Sequence, residues 1–404
     1  MRTVKDKYIK ARKENIPIDW KNRYLGDYIE LVSGQHLEAD DYNEEKIGIP
    51  YFTGPSDFTN DINKILKWTE KKTKHAIFED VLITVKGSGV GRLHFLELKK
   101  PVAIGRQLMA IRSVKSYARF LYYLLEFKAH QIEVLSMGNM IPGVTRDDIL
   151  KLKSLFPPLP EQQKIARILS TWDKAIEKTE QLIAQKQLLK KGLMQQLLTG
   201  KKRLREFKGK WKRRMVGEIG TIIRGASPRP KGDLRYYGGN IPRLMVEDVT
   251  RDGKYVTPRV DFLTKEGAKL SRPCKKGTLT IVCSGDVGTP SFLAVDACIH
   301  DGFLGITDLI STIDEDFLYY QMLRLKSRIE RSATHGGVFT NLTTQILKDF
   351  EIELPEFEEQ RKIALIINKT DDDIMKEEHH LMLIKSQKKG LMQKLLTGAI
   401  RTKP

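Results

Sequence analysis

The chain holds 404 residues, 40% hydrophobic and 30% charged, which allows two or three domains of soluble composition, each with its own core. No apolar run nears the roughly 20 residues that span a bilayer, and the opening MRTVKDKYIKARKENIP has no apolar stretch behind its charges to read as a secretory signal. Three cysteines without a C-x-x-C pair argue against a disulfide framework or structural zinc and fit a reducing cytosol, while 70 Lys and Arg against 51 Asp and Glu give a net charge of +19 that favours a polyanionic partner, nucleic acid first.

After an N-terminal segment, 1–19, comes a globular unit over 20–156. Its patterning predicts a strand at 28–32 ending near Gly34, and a buried strand at 81–85 leading into the turn Gly87-Ser88-Gly89-Val90-Gly91. A short helix at 120–127 follows. Prolines 157, 158 and 160 then open a helical segment, 157–205. Glu161 near its start suits the helix dipole. Ile165, Ile168, Leu169, Trp172 and Ile176 recur at helical spacing, and Gly200 is a natural stop. A second globular unit, 206–354, predicts strands at 219–223, before Gly225, and at 278–282, with a helix at 317–325. Pro355 opens the last helical segment, 355–404, with Glu359 near its start and Gly398 at its end. Each helix of roughly forty residues would be about 60 Å long.

The helical segments repeat each other. EQQKIA at 161–166 returns as EQRKIA at 359–364, KKGLMQ at 190–195 returns at 388–393, and LLTG at 197–200 returns at 395–398, always 198 residues on. Such constancy suits a helix, where one inserted residue would turn every later side chain by about 100°. The globular units match more loosely. Trp20-Lys21 pairs with Trp211-Lys212, Gly34 with Gly225, Ile49-Pro50 with Ile241-Pro242, and FLYY at 120–123 with FLYY at 317–320, the offset drifting from 191 to 197. A single-stripe helix of this length needs a partner, and its own repeat is the nearest candidate. The expected class is α+β: two globular domains separated by two long helices packed as an antiparallel coiled coil, with a pseudo-twofold internal repeat.

No catalytic constellation emerges. The 87–91 turn lacks the Lys-Ser/Thr end of a phosphate loop and does not fit G-x-G-x-x-G, so a hairpin is the reading. The eight histidines form no H-E-x-x-H or His/Cys cluster, and no metal is expected. Phe156-Pro157-Pro158-Leu159 lacks the leading Asn or Asp of an amino-methyltransferase motif and reads as the approach to a helix. The basic run Lys201–Arg214 fits either a solvated linker or a contact to DNA phosphates.

PPLPEQQKIA at 157–166, followed by KGLMQQLLTG at 191–200 and repeated near the C-terminus, resembles the specificity subunit of type I restriction–modification systems. The resemblance covers nearly the whole chain. The second copy departs at its approach, where Pro355 stands alone against three prolines in the first. The resemblance implies that each globular unit is a target recognition domain reading one half of a bipartite, asymmetric DNA site. It implies that the helices set the distance between halves, and that two modification subunits dock through the helices and nearby surfaces. Those subunits would carry S-adenosylmethionine and adenine-N6 methylation, and restriction subunits hydrolysing ATP would join them. The chain itself would hold no cofactor, catalyse nothing and work in the cytoplasm.

Direct base readout is expected from polar and cationic side chains on loops. The candidates in the first unit are Gln35, His36, Lys86, Ser88, Arg92, Arg106, Gln107 and Asn139. In the second they are Arg224, Ser227, Arg229, Lys231, Arg243, Ser284, Thr289, His335 and Asn341. On the helices, Glu161, Gln162, Ile165, Glu359, Gln360 and Ile363 fit either contacts between helices or contacts to a modification subunit. Two other classes compete: a fragment of a combined nuclease–methyltransferase, whose motifs are missing, and a coiled-coil scaffold that binds DNA without a modification role and with little sequence preference.

Overall fold

A computed structural model describes residues 17–87, 89–136, 143–333 and 342–402. The proline-led segments form single helices, Leu159–Leu197 and Phe357–Leu396, of 39 and 40 residues. Gly200 and Gly398 follow their ends at φ 67° and 76°, a left-handed conformation that glycine adopts without strain. The chain divides into two units. The first takes the described residues up to Glu180 together with those from His379 onward; the second runs from Gln181 to Glu378. These units cut across the boundaries at 156, 205 and 354, because the apolar stripe of each helix is covered only when a stretch of the other lies beside it.

The first unit holds two four-stranded sheets beside the antiparallel pair Lys21–Tyr24 and Lys153–Phe156. One orders the strands Ile29–Ser33, Leu108–Ser113, Val81–Thr84 and Leu93–Phe95, all antiparallel. The other orders Trp68–Thr69, Ile49–Phe52, Val102–Ile104 and His75–Ala76, with the middle two parallel. Every residue of Val81–Thr84 is buried. Side chains alternate across a strand, so Val81 and Ile83 enter a core with Phe120 and Leu124, while Leu82 enters a second core with Phe52 and Trp68. The first of these cores is completed by Ile165, Ala166 and Leu169 of the first long helix and by Met392, Leu395 and Leu396 of the second. Each of these side chains other than Ala166 contributes about 1.5–3 kcal/mol on full burial.

The second unit repeats this plan. Its main sheet orders Thr221–Arg224, Phe303–Thr307, Leu279–Val282 and Pro290–Leu293, with Tyr255–Val256 added in parallel at the edge. Its smaller sheet orders Asp261–Leu263, Tyr237–Leu244, Ala297–Ile299 and Arg272–Cys274. Leu279 and Ile281 share a core with Ile363, Ala364, Ile367 and Leu197, each helix position 198 residues from its counterpart or nearly so. Two expectations shift. Ile219 closes a short helix, Val216–Ile219, and the strand begins only at Thr221, beyond the extended Gly220. The helix expected at 317–325 runs over Glu315–Ser332, started by the Asp314 carboxylate accepting from the Phe317 amide at 2.8 Å.

Within each unit the helix stretches run antiparallel. In the first, Lys385 pairs with Glu180 at 2.6 Å and Lys388 with Asp173 at 2.7 Å; in the second, Lys186 pairs with Glu377 at 3.0 Å and Lys190 with Asp371 at 2.6 Å. Rising numbers on one helix meet falling numbers on the other.

Candidate nucleic-acid interface

The sheet register gathers the first unit's candidates. Ser33 lies opposite Met109 and Thr84 opposite Leu108, so the strand ends meet at one end of the main sheet. There the Gly34 amide donates to the Leu108 carbonyl, the Gln35 amide to Ile104 and the Val85 amide to Gln107, while the Thr84 amide donates to the Arg92 carbonyl. Gln35, His36, Lys86, Arg92, Arg106 and Gln107 therefore surround one sheet end, all exposed. Arg146, which the sequence did not single out, joins them by donating to the Leu31 carbonyl at 3.1 Å and the Ser33 hydroxyl at 3.0 Å. Ser88 and Asn139 lie outside the described residues.

The second unit uses the equivalent end. The Gly225 amide donates to Phe303, Ala226 to Ile299, Cys283 to Gly302 and Val282 to Thr289. Arg224, Ser227, Ser284 and Thr289 meet there, with Arg229 and Lys231 on the loop that follows. Arg224 donates to the Leu342 and Asp301 carbonyls, and the Thr289 hydroxyl donates to Asp286 at 2.7 Å. Arg243 is no surface reader: it is 5% exposed, bound to Asp261, and donates to the Ser227 hydroxyl at 2.7 Å. It sits on the smaller sheet, whose strand is flanked on both sides. His335 and Asn341 lie outside the described residues.

One backbone approach recurs in both units. A Cβ on Gly34 would lie 2.0 Å from the Gly105 carbonyl oxygen, and one on Gly225 would lie 1.9 Å from that of His300. Within each unit, only glycine lets the loop approach its own neighbour this closely.

The helix candidates have a different place. Glu161 accepts from the Trp20 indole at 3.0 Å and from Arg401 at 2.9 and 2.8 Å; Glu359 accepts from Arg203 twice at 2.6 Å. Gln162 accepts from the Tyr117 amide and donates to the Pro157 carbonyl, while Gln360 accepts from the Asp314 amide and donates to that of Pro355. Ile165 and Ile363 are core residues. All six are buried with their polar atoms engaged inside their own unit, so they anchor helices. Burial alone would raise the Glu161 pKa; the bonds from Arg401 and Trp20 carry it below the usual glutamate value.

The basic run is partly structural. Arg203 binds Glu359, Arg213 reaches Glu353 at 3.3 Å, and Glu206 of the same run accepts from Lys362 at 3.0 Å. Arg401, at the repeat offset from Arg203, also pairs with Asp19 at 2.7 Å. Among the described residues, no group of three or more His, Cys, Asp or Glu stands where it could hold a metal. Burial pushes the Cys274 and Cys283 thiols up to about 11, which makes them poor nucleophiles. No described helix is long and apolar enough to cross a membrane.

Each unit thus carries the same sheet end rimmed with cations, on a duplicated α+β frame. Residues 17–185 and 208–381 both match the type I restriction modification DNA specificity domain, and the chain belongs to that family. It is accordingly a specificity subunit, the non-catalytic DNA-recognition component of a type I system, acting with DNA and with other subunits of that system. It is 28% identical to the putative type I restriction enzyme MjaX specificity subunit of Methanocaldococcus jannaschii, over 98% of this chain and 97% of the relative. To the MjaVIII specificity subunit of the same organism it is 26% identical, over 96% and 94%. In fold it is similar to the type I S subunit from M. genitalium, with a TM-score of 0.61 at 20% identity, covering 95% of this chain and 96% of the other.

Proposed function

We propose that each unit reads one half of a bipartite, asymmetric DNA target through the sheet end described above. The reading rests on one observation: the same end of the same sheet gathers the loop cations and amides in both units, yet the side chains differ, Gln35, Arg106 and Gln107 in one against Ser227, Arg229 and Ser284 in the other. Two different surfaces on one frame suit two different half-sequences. In this reading two modification subunits bring S-adenosylmethionine and adenine-N6 methylation, restriction subunits bring ATP hydrolysis, and this chain holds no cofactor. The complex works in the cytoplasm, where chromosomal DNA is the substrate.

The test is a methylation map. The chain is expressed with its modification subunit in a host lacking adenine methylation, and the genome is sequenced by a method that detects N6-methyladenine. Methylation confined to one split motif, and absent without this chain, is the expected result. Partners that co-purify without any methylated motif would leave DNA-binding scaffold as the function.

A further inference from the structure

We propose that Arg229 reads a guanine in the half-site of the second unit, and that Ser227, Arg243 and Asp301 are positioning residues that aim it. The inference rests on the reading that this sheet end faces DNA, and adds which side chain determines a base.

The loop from Gly225 to Lys231 is held at nearly every step. Gly225 lies against His300 too closely for any Cβ. The Arg224 carbonyl accepts from the Arg272 guanidinium at 3.1 Å, the Ala226 carbonyl from the Ser271 hydroxyl at 2.7 Å, and the Pro228 carbonyl from the Tyr237 hydroxyl at 2.7 Å. Beneath them the buried Arg243 donates to the Ser227 hydroxyl at 2.7 Å, and that hydroxyl donates to Asp301 at 2.6 Å. Asp261 fixes the far side of Arg243. Five side chains from three other segments thus immobilise a surface loop, and at its tip stands Arg229, whose side chain is 73% exposed. The first unit ties its equivalent loop differently, by the Gly34 and Gln35 amides donating to Leu108 and Ile104, by the Lys74 amide donating to the Gln35 side chain at 3.3 Å, and by Arg146 on the Ser33 hydroxyl.

The chemistry at the tip separates two roles for an exposed arginine. A phosphate clamp needs an electropositive surround. Here the Asp301 carboxylate, half exposed, lies 3.6 Å from the Arg229 guanidinium and would repel a phosphate. At 3.6 Å the carboxylate draws the guanidinium toward it by charge without taking a hydrogen bond, which leaves the N–H groups for a neutral base edge. Guanine offers the matching pair of acceptors, O6 and N7, in the major groove. Preorganisation matters because a loose arginine loses side-chain entropy on binding and discriminates less.

The test uses the complex of this chain with its modification subunit, wild type and the variants R229A, R229K and S227A. Binding is measured on duplexes carrying the mapped motif and on a set with each base pair of the motif changed singly, at several salt concentrations. In R229A, discrimination at one G·C pair of one half-site should fall by about tenfold to a hundredfold while all other positions keep theirs. R229K should lose the same discrimination with an unchanged salt slope, since charge survives but the fork does not. S227A should relax that position in part while discrimination at every other base pair is kept. Uniform weakening at every base pair by R229A, with a salt slope lower by about 1, would make Arg229 a phosphate contact and overturn the proposal. Full retention of wild-type discrimination in R229A would also overturn it, and would leave half-site reading by this unit intact. A wild-type complex that shows no split motif at all would instead sink the underlying reading.

Discussion

The Lys388 ammonium lies 2.7 Å from the Asp173 carboxylate, one residue from each long helix, and the pair sits directly over the recognition domain of the first unit. Glu126 accepts from the same ammonium at 3.1 Å, and the Tyr123 hydroxyl donates to Asp173. The second unit repeats the arrangement with Lys190, Asp371 and Tyr320, whose hydroxyl donates to Asp371 at 2.7 Å. Each cluster ties a helix pair to a recognition domain. Burial alone would lower the Lys388 pKa, but the bond to Asp173 and the charge of Glu126 raise it above the usual lysine value.

Replacing Lys388 by Met should therefore destabilise the first unit by about 2 kcal/mol, less than for a fully buried pair because both carboxylates keep some solvent. Adding D173N should recover part of the loss. Urea denaturation of the three proteins checks this. The sign in pH follows from a raised pKa: the stabilisation is fully present below the ordinary lysine value and disappears as pH climbs through the folded one.

Glu161 gives the opposite limb. Its folded pKa lies below the ordinary 4.5, so its contribution is present above that value and is lost as the pH falls through the folded one. E161Q should be less stable than wild type at pH 7, and the gap should close on acidification. A gap that stays constant from pH 7 to 3 would mean that the Arg401 contact contributes no charge-dependent stability. The comparison is made by denaturant midpoints across that range.

Gly34→Ala and Gly225→Ala should each push a loop off its neighbour, at about 1–3 kcal/mol of overpacking. G34A should degrade recognition of one half of the DNA target and G225A the other. Methylation maps of the two variants distinguish this outcome from a general loss of binding.

Lys86 and Arg92 flank the hairpin of the first unit, exposed and with no ion-pair partner among the described residues. If they meet phosphates, alanine at either should weaken binding equally across sequences and lower the salt slope by about 1. Titrations between 50 and 200 mM salt, a range chosen for its sensitivity to such contacts, read this directly.

The helices were legible because length constancy over 198 residues survives sequence drift. The same offset carries on to Arg203 and Arg401 and relates Asp173 to Asp371. Arg203 was hidden in a run of cations judged by composition, where only its Glu359 partner sets it apart. Arg243 was misplaced for another reason: its strand belongs to the smaller sheet, and which face of a strand is covered depends on long-range pairing with Asp261 and Cys298. Strand-end position brought most of the candidates to one end of each main sheet. It could not reveal Asp301, Ser271 or Tyr237, whose role exists only once distant segments meet.

The division of the helices has a consequence for synthesis on the ribosome. The second unit is one continuous stretch, and its seam between Leu197 and Ile363 can close once residue 378 has emerged. The first unit cannot finish so early: Ile165 and Leu169 wait for Met392 and Leu395, and Trp20 waits for Arg401. The domain translated first is thus completed last, and until then it carries an uncovered apolar stripe, the kind of surface that chaperones bind and that makes a prematurely terminated chain prone to aggregate.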